Sequence, residues 1–292
     1  MSPLTLGVIG PGLIGGSMAL DLKKSKFAGT VLGYDKDPEN GAAALRLGII
    51  DRAVSLEELM RESDVVLLCI PVDAAVRLLP SLLDRLAARI GSSAGTGRPF
   101  IMDVCSVKGP IVEAVKEHPL RGRYVAGHPM AGTEYRGAIA AQAGLFEGRA
   151  GILCETEASD ADAVSLAESL FSALGMRIVR MSARQHDIHT AYVSHLSHVI
   201  SFALAHTVLD KEQDDKHIFD LASGGFSSTV RLAKSNADMW TPIFLQNKEN
   251  LLPVVEAYAE HLDRFRSALE NEDGRELRNL IAEANKIRRI IQ

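Results

Sequence analysis

The sequence predicts an α/β domain with a mostly parallel sheet, followed by an all-α domain. In the first half of the chain, short apolar runs alternate with longer helical patterns, which is typical of a parallel sheet covered by helices on both faces. From about residue 183 the strand signal stops and long helical patterns follow one another. The length of 292 residues is also sufficient for two domains.

Strands are predicted where β-branched and apolar residues concentrate over a few consecutive positions. These segments are residues 4–10, 30–35, 65–70, 99–104, 124–128, 150–155 and 177–181. Helical patterns lie between the early strands, at residues 13–26, 38–47, 73–90 and 108–117. Three long helices are predicted in the second half, over residues 183–210, 247–270 and 273–292.

The domain boundary is predicted between residues 182 and 183, where the strand pattern ends. The helical segment 183–292 is small, and a domain of this size leaves much apolar surface uncovered. Pairing with a second copy would bury that surface. We therefore predict a homodimer formed through residues 183–292, which would also carry the substrate-binding residues of the second domain.

Composition excludes several classes of partner. The net charge of −5 comes from interspersed acids and bases, whereas nucleic acids and anionic membranes bind basic surfaces. The three cysteines are scattered in or beside apolar runs, as reduced thiols in a reducing compartment are. No window approaches 18 uninterrupted apolar residues, and the N-terminus lacks a signal-peptide pattern. We predict a cytoplasmic protein.

A glycine-rich turn follows the first predicted strand and precedes the first helix. It reads G-x-G-x-x-G, with Gly10 for the tight turn, Gly12 for close approach of a pyrophosphate and Gly15 for close packing of helix on strand. The second strand ends in Asp35, where a carboxylate accepts hydrogen bonds from ribose hydroxyls and repels a 2′-phosphate, although the adjacent Lys36 leaves some tolerance for NADP. The pattern predicts a Rossmann-type, NAD-binding domain over residues 1–182. The predicted cofactor-binding residues are Gly10, Gly12, Leu13, Ile14, Gly15, Asp35, Pro71 and Val104.

Two further strand ends lie at the expected ligand edge of the sheet. Pro71 follows the third predicted strand, and Val104 and Ser106 follow the fourth. Pro71 could simply end its strand. Ser106 could simply cap the next helix by accepting from a free backbone N–H group. Both alternatives stay open on this reasoning.

The segment GHPMAGTE, residues 127–134, follows the fifth predicted strand. Its glycines and proline predict a shaped loop, and His128 lies at the ligand edge. Oxidation of an alcohol by hydride transfer needs a group that accepts the hydroxyl proton, and histidine has a suitable pKa. We predict that His128 is this group, rather than a half-buried histidine bonded to backbone.

The helical half offers further candidates. Ser194, His195 and His198 lie on neighbouring turns of one predicted helix, for contact with an anion or substrate. The alternatives are ordinary solvated or core histidines and a shared metal ion. No H-E-x-x-H pattern or cysteine pair accompanies these histidines, and no metal is predicted. Arg231 follows the break at Gly224 and could clamp a carboxylate or form a surface ion pair. The side chain of Trp240 either packs in the hydrophobic core or forms a wall of a binding pocket.

The chain resembles the prephenate dehydrogenases, a family that includes arogenate and cyclohexadienyl dehydrogenases. The resemblance rests on G-x-G-L-I-G-G-S, D-V-C-S-V-K, G-H-P-M-A-G-T-E, H-D-x-x-x-A-x-x-S-H-L and the pairs M-W and N-K, and runs from Gly7 to about Leu252. It implies NAD-dependent oxidative decarboxylation of prephenate to 4-hydroxyphenylpyruvate in tyrosine biosynthesis, by a homodimer. His128 would accept the proton of the ring hydroxyl, and Ser106 would bond the same hydroxyl. The implied substrate-binding residues are Arg231, His198, His195, Ser194, Glu134, Thr133, Gly224 and Trp240.

The chain departs from the family pattern before Arg231. Many members carry F-R-D-x-T-R, whereas this chain reads FSSTVR, with Ser227 and Ser228 in place of an Arg and an Asp. Arogenate oxidation, which forms tyrosine directly, is an alternative that no single residue excludes. A β-hydroxyacid dehydrogenase with Lys248 as its catalytic lysine would leave GHPMAGTE without a role. A non-catalytic NAD-binding regulator is the remaining alternative, and the presence of His128 speaks against it.

Overall fold

The computed structural model describes residues 4–92, 99–214 and 217–290. The chain divides into two compact units, Met1–Asn247 and Lys248–Gln292. Within the described residues, the first unit contains eight strands. They are β1 (Leu4–Ile9), β2 (Ala28–Tyr34), β3 (Arg52–Ala53), β4 (Val65–Leu68), β5 (Phe100–Asp103), β6 (Tyr124–Pro129), β7 (Ala150–Cys154) and β8 (Arg177–Met181).

These strands form one sheet in the order β3-β2-β1-β4-β5-β6-β7-β8. Neighbouring strands are parallel except β6 and β7, which are antiparallel. The strand order changes direction at β1, so β1 and β4 flank the switch point where open α/β sheets bind ligands. The predicted fold class, a Rossmann-type domain with a mostly parallel sheet plus a helical part, is confirmed.

Ten helices of the first unit lie in the described residues. They are α1 (Leu13–Lys24), α2 (Pro38–Arg46), α3 (Leu56–Glu62), α4 (Val72–Ser92), α5 (Gly109–Glu113), α6 (Ala161–Ala173), α7 (Ala183–Thr190), α8 (Leu196–Asp214), α9 (Gly224–Thr229) and α10 (Ala237–Gln246). A π-helical turn, Ala191–His195, joins α7 to α8. No described helix combines the length and apolar character that crossing a membrane requires.

The central strands are buried on both faces. Leu6 and Val8 of β1 enter one core cluster, whereas Ile9 enters another; Val65 and Val66 of β4 likewise separate into the two clusters. Successive side chains of a strand point to opposite faces, so each cluster lies between the sheet and one layer of helices. This double burial explains why the strands read as continuous apolar runs.

All seven predicted strands are present, whereas β3, α3 and α6 were not predicted, and α9 begins where a break at Gly224 was expected. The helix predicted over 108–117 is wrong in its second half, because α5 ends at Glu113. After that residue the backbone tightens into i→i+3 hydrogen bonds, as from Lys116 N–H to the carbonyl of Glu113. Arg231 was expected on a new helix and lies instead in a 3₁₀ turn, Arg231–Lys234, before α10.

The second unit consists of α11 (Lys248–Glu270), α12 (Gly274–Ala284) and a 3₁₀ turn over Asn285–Arg289. Asp273 caps α12 by accepting from the backbone N–H groups of Arg275 and Glu276 at 3.1 and 2.9 Å. Arg264 of α11 bonds Glu276 of α12 at 3.2 Å. Large apolar side chains stay exposed on both helices, including Leu262, Leu269 and Ile281.

Candidate active site

The carboxyl ends of β1, β4, β5 and β6 meet at one edge of the sheet, because these strands are parallel neighbours. The predicted residues Gly10, Pro71, Val104 and His128 lie at or directly beyond these ends. Residues predicted from separate strand ends therefore share one edge, where doubly wound folds bind their ligands.

The glycine-rich turn has the geometry that a dinucleotide needs. Gly10 adopts φ +86°, and a Cβ added there would lie 2.5 Å from the carbonyl oxygen of Cys69. A Cβ at Gly12 would come into ordinary van der Waals contact with the backbone of Gly137, at 3.9 Å. Leu13 and Ile14 open α1, and no side chain in the described residues caps it. The first N–H groups of α1 are therefore available to a pyrophosphate.

Gly15 and Asp35 complete this part of the site. A Cβ at Gly15 would lie 2.5 Å from the carbonyl oxygen of Gly10, so helix and strand pack as closely as expected. The half-buried carboxylate of Asp35 accepts from Asp37 N–H at 2.9 Å and from Asn40 Nδ2 at 2.5 Å. Asn40 accepts in turn from Ala138 N–H at 2.8 Å, which fixes its amide. These bonds hold Asp35 at the end of β2, where a ribose is recognised.

The alternative role of Ser106 as a helix cap is wrong. Helix α5 begins at Gly109, and its N-cap residue, Lys108, makes no side-chain capping bond. The free N–H groups of Lys108 and Gly109 instead donate to the carboxylate of Asp187, each at 2.7 Å. Ser106 is half-buried before this helix start, while Pro71 is exposed between β4 and α4, and Val104 is buried.

His128 lies near the end of β6 and is only 8% exposed. A Cβ at the preceding Gly127 would overlap the side chain of Met102 and come within 3.0 Å of the carbonyl oxygen of Asp103. A larger residue would therefore require Met102 and the backbone of β5 to shift. The close contact fixes the backbone from which the imidazole of His128 projects.

A chain of hydrogen bonds runs from His128 to two residues that were not predicted as site residues. His128 Nδ1 lies 2.8 Å from His186 Nε2, and His186 Nδ1 lies 2.7 Å from Asp187 Oδ1. His186 and Asp187 are the fourth and fifth residues of α7, and both are buried. The letters H-D were part of the resemblance, but nothing local in the sequence indicates a contact with His128.

Burial makes the charged form of His128 costly. Loss of solvation lowers the pKa of His128 well below its ordinary value, and repulsion from a protonated His186, from the ammonium of Lys108 and from a protonated His195 lowers it further. Lys108 is fully buried, paired with Asp103 and bonded to the carbonyl oxygen of Gly127 at 2.6 Å. At neutral pH His128 is therefore an uncharged base.

A second group of predicted residues surrounds Trp240. The ring of His198 stacks on the indole with centroids 3.4 Å apart, and the ring of His195 meets it edge-on at 5.9 Å. His198 Nδ1 bonds the backbone oxygen of half-buried Ser194 at 3.0 Å. Within the described residues, His195 Nε2 and Trp240 Nε1 are buried without a hydrogen-bond partner. Trp240 thus packs in the core and also walls the region beside both histidines.

His195 connects the two groups. Its Nδ1 lies 3.0 Å from the side-chain nitrogen of Asn247, which donates to the backbone oxygen of Asp187 at 2.8 Å. Asn247 was not predicted as a site residue beyond its place in the N-K pair. Among the described residues, no group of three or more His, Cys, Asp or Glu side chains could hold a metal ion.

The guanidinium of Arg231 lies 3.4 Å from the carboxylate of Glu134, a residue on the loop after β6. The charge of Arg231 also lowers the pKa of His198, after the larger effect of burial. Ser228, in place of the usual Asp, donates to the carbonyl oxygen of Gly225 at 2.9 Å. The two remaining predicted substrate-binding residues are Gly224 and Thr133. Gly224 opens α9, which precedes Arg231, and Thr133, which precedes Glu134, accepts from Tyr135 N–H at 3.3 Å.

A cavity of about 800 Å³ opens next to Glu134. It is lined by the loop that follows β6 and by the segment that follows Arg231, including Arg136, Ile139, Lys234 and Asn236. His128 is not among the lining residues. The hydrogen-bond chain of His128, rather than this cavity, therefore defines the candidate catalytic position.

Two family models match consecutive parts of the chain. Residues 18–180 match the nucleotide-binding domain of prephenate dehydrogenase, and residues 182–283 match its dimerization domain. The chain belongs to the prephenate dehydrogenase family. The prephenate dehydrogenase of Bacillus subtilis is 34% identical over 275 residues, which are 94% of this chain and 72% of that relative. The cyclohexadienyl dehydrogenase of Zymomonas mobilis is 32% identical over 287 residues, 97% of this chain and 94% of that one.

Solved structures of family members have the same fold. The prephenate dehydrogenase of Aquifex aeolicus, in complex with hydroxyphenyl propionate and NAD+, superimposes with a TM-score of 0.86 at 32% identity, over 100% of this chain and 99% of that one. The arogenate dehydrogenase of Synechocystis gives a TM-score of 0.71 at 28% identity, over 99% and 100% of the two chains. Members named for different substrates thus share the architecture.

Proposed function

We propose that this protein is an NAD-dependent prephenate dehydrogenase of tyrosine biosynthesis. It oxidises prephenate at the ring carbinol and releases carbon dioxide, which yields 4-hydroxyphenylpyruvate. The observation that carries the proposal is the position of His128. A buried, uncharged histidine lies near the end of β6, at the sheet edge that also holds the glycine-rich turn after β1. Family membership, with relatives that bear this name, supports the same reaction.

The cofactor proposed is NAD+, which supplies the hydride acceptor when bound. The turn from Gly10 to Gly15 would hold its pyrophosphate against the start of α1. Asp35 would accept from the hydroxyls of the adenosine ribose, and its charge would repel the additional phosphate of NADP+. Pro71 and Val104 would flank the site at the neighbouring strand ends.

His128 would transfer the hydroxyl proton of the substrate. The overall reaction releases no net proton, because the hydroxyl of the substrate becomes the phenol hydroxyl of the product. His128 Nε2 would accept the hydroxyl proton as the hydride leaves and return it to the same oxygen as the ring becomes aromatic. Since His128 is 8% exposed, the proton would be kept from solvent in between. Ser106 would bond the same hydroxyl and orient it.

Substrate binding would use the group around Trp240. Arg231 would bind a substrate carboxylate, which replaces Glu134 as the partner of its guanidinium. His198, stacked on Trp240, and the partnerless Nε2 of buried His195 would contact the side chain of the substrate. Ser194, Thr133 and Gly224 are proposed at the border of this region.

Arogenate is the second candidate substrate. Relatives of similar identity are named cyclohexadienyl and arogenate dehydrogenases, and they match nearly the whole chain. Arogenate has an amino group where prephenate has a keto group.

We also propose the arrangement in which the enzyme works. A boundary between residues 182 and 183 is supported by the family models, the first of which ends at residue 180 while the second begins at residue 182. A homodimer formed through the helical domain is supported by the dimerization-domain match and by exposed apolar residues such as Leu262 and Leu269. Light scattering that finds a monomer at micromolar concentration would contradict this. The cytoplasmic location stays a prediction from sequence.

The test is to measure initial rates of NAD+ reduction with prephenate and with arogenate, on one sample, and to identify the product. We expect prephenate to be the better substrate and 4-hydroxyphenylpyruvate to be the product. A preference for arogenate would move the reaction to the second candidate and leave the fold and the cofactor unchanged. No reduction with either substrate, by protein that binds NAD+, would reject both.

A further inference from the structure

The side chains behind His128 form a connected, buried series. His128, His186 and Asp187 are 8%, 1% and 3% exposed, and the two hydrogen bonds between them are 2.8 and 2.7 Å long. The rings of His128 and His186 meet nearly edge-on, at 67°. Each ring therefore points a nitrogen at the next group in the series.

The donors and acceptors of this series have one consistent assignment. Backbone N–H groups only donate, so the bonds from Lys108 and Gly109 make both oxygens of Asp187 acceptors. Asp187 Oδ1 also accepts from His186 Nδ1–H. A neutral His186 then offers the lone pair of Nε2, which accepts from His128 Nδ1–H. His128 is left with its lone pair on Nε2, the nitrogen that a base must present to the substrate.

Within this series, a positive charge is less costly on His186 than on His128. Burial lowers the pKa of both histidines, so a proton on His128 alone would be costly. Asp187 opposes this effect at His186, whose pKa it raises through a hydrogen bond and through its negative charge. A cation on His186 would therefore be in direct contact with a carboxylate, whereas a cation on His128 would not.

We propose that His186 and Asp187 are positioning residues for the proton transfer at His128, and that His186 carries the positive charge while the substrate proton is held. This inference rests on the proposed function. When the hydroxyl proton binds Nε2 of His128, the proton on Nδ1 moves to Nε2 of His186, which becomes an imidazolium bonded to Asp187. Both protons return as the ring of the substrate becomes aromatic. No proton is gained or lost in the cycle.

Other charged groups face the series and must be considered in any pH experiment. Lys108 and His195 disfavour protonation of His128, and Lys108 also disfavours it at His186. Asp103 favours protonation of His186. Lys108 is held by Asp103 and by the carbonyl oxygen of Gly127, so its position is fixed by contacts outside the series.

The variant that tests the proposal is His186→Gln. Its side-chain oxygen can accept from His128 Nδ1–H, but an amide cannot carry the charge. We expect kcat with prephenate to fall ten- to a hundredfold, with KM for NAD+ changed less than twofold. The acid limb of the kcat/KM profile should move to lower pH, because His128 alone is harder to protonate. The matched control is His189→Gln, because His189 is an exposed histidine on the same helix. This variant should keep the kcat and the acid limb of the wild type.

An unchanged kcat and an unmoved acid limb in His186→Gln would overturn the proposal. A lower kcat with an unmoved acid limb would also overturn it, since it indicates a structural role only. Nitrogen-15 NMR of labelled histidines tests the assignment without turnover: His128 must be protonated on Nδ1 and bare on Nε2, with the resonance identified by its loss in His128→Asn. The opposite tautomer would overturn the relay. Wild-type protein inactive with both substrates would reject the proposed function, while the tautomer result would still decide the assignment.

Discussion

The guanidinium of Arg231 lies 3.4 Å from the carboxylate of Glu134. This ion pair joins the loop after β6, which follows His128, to the 3₁₀ turn after α9. The side chain of Arg231 is 54% exposed, and ion pairs as exposed as this contribute about 0–1 kcal/mol. We therefore expect that a substrate carboxylate would displace Glu134 from Arg231 at little cost.

Replacement of Arg231 tests its role in substrate binding. A charge-assisted hydrogen bond contributes about 1.5–3 kcal/mol, so Arg231→Ala should raise KM for prephenate by roughly ten- to a hundredfold, with a smaller effect on kcat. Arg136→Ala is the matched control, since Arg136 is an exposed arginine on the same loop. Steady-state kinetics measure both. An unchanged KM in Arg231→Ala would remove this residue from the carboxylate site.

Replacement of Asp35 tests cofactor recognition. Asp35→Ser removes the carboxylate that would bind the ribose hydroxyls and repel a 2′-phosphate. We expect KM for NAD+ to rise about tenfold. The preference for NAD+ over NADP+, measured as the ratio of the two kcat/KM values, should fall at least tenfold. Asp37→Ala is the control, because Asp37 caps α2 by accepting from Glu39 N–H at 3.0 Å. The control should lose about 1 kcal/mol of stability and keep its cofactor preference.

Because several histidines are buried, we predict that the free energy of unfolding falls in mild acid. Burial lowers the pKa of His195 from 6.5 to about 4, so between these values the unfolded chain binds a proton that the folded chain does not. The stabilisation from this group is complete above pH 6.5 and is lost as the pH falls toward 4. We expect a loss of roughly 1–2 kcal/mol from His195 between pH 7 and pH 5.

Urea unfolding at pH 5, 6 and 7 measures this dependence. His195→Gln should reduce the slope of stability against pH, whatever its effect at pH 7. His189→Gln should leave the slope unchanged, since His189 is exposed. Equal slopes in His195→Gln and the wild type would contradict the prediction.

The local parts of the site were predictable from sequence. Gly10, Gly12 and Gly15 act within one turn, and their spacing between a strand pattern and a helix pattern, with Asp35 at the end of the second strand, predicts a dinucleotide-binding turn. Asp35 and His128 were predictable because each lies at the carboxyl end of a predicted strand, and parallel strands place their carboxyl ends at one edge. The regularity of a parallel sheet thus brings these distant residues to one edge without any side-chain contact having to be foreseen.

The contacts between distant segments were not predictable. His186 lies 58 residues from His128, and Asp187 lies 79 residues from Lys108, whose backbone it caps. No periodicity in α7 distinguishes a histidine that meets β6 from one that packs in a core. The π-helical turn Ala191–His195 follows from no residue pattern that we recognise. Strand β3 has only two residues, too few for an alternation to be visible.

The most direct test is the turnover number of His128→Asn in NAD+ reduction with prephenate, measured beside its dissociation constant for NAD+. Loss of a general base reduces turnover by about two to four orders of magnitude. We predict a loss of this size with an unchanged dissociation constant, because His128 accepts the substrate proton and does not hold the cofactor. A turnover number within threefold of the wild type would contradict the account.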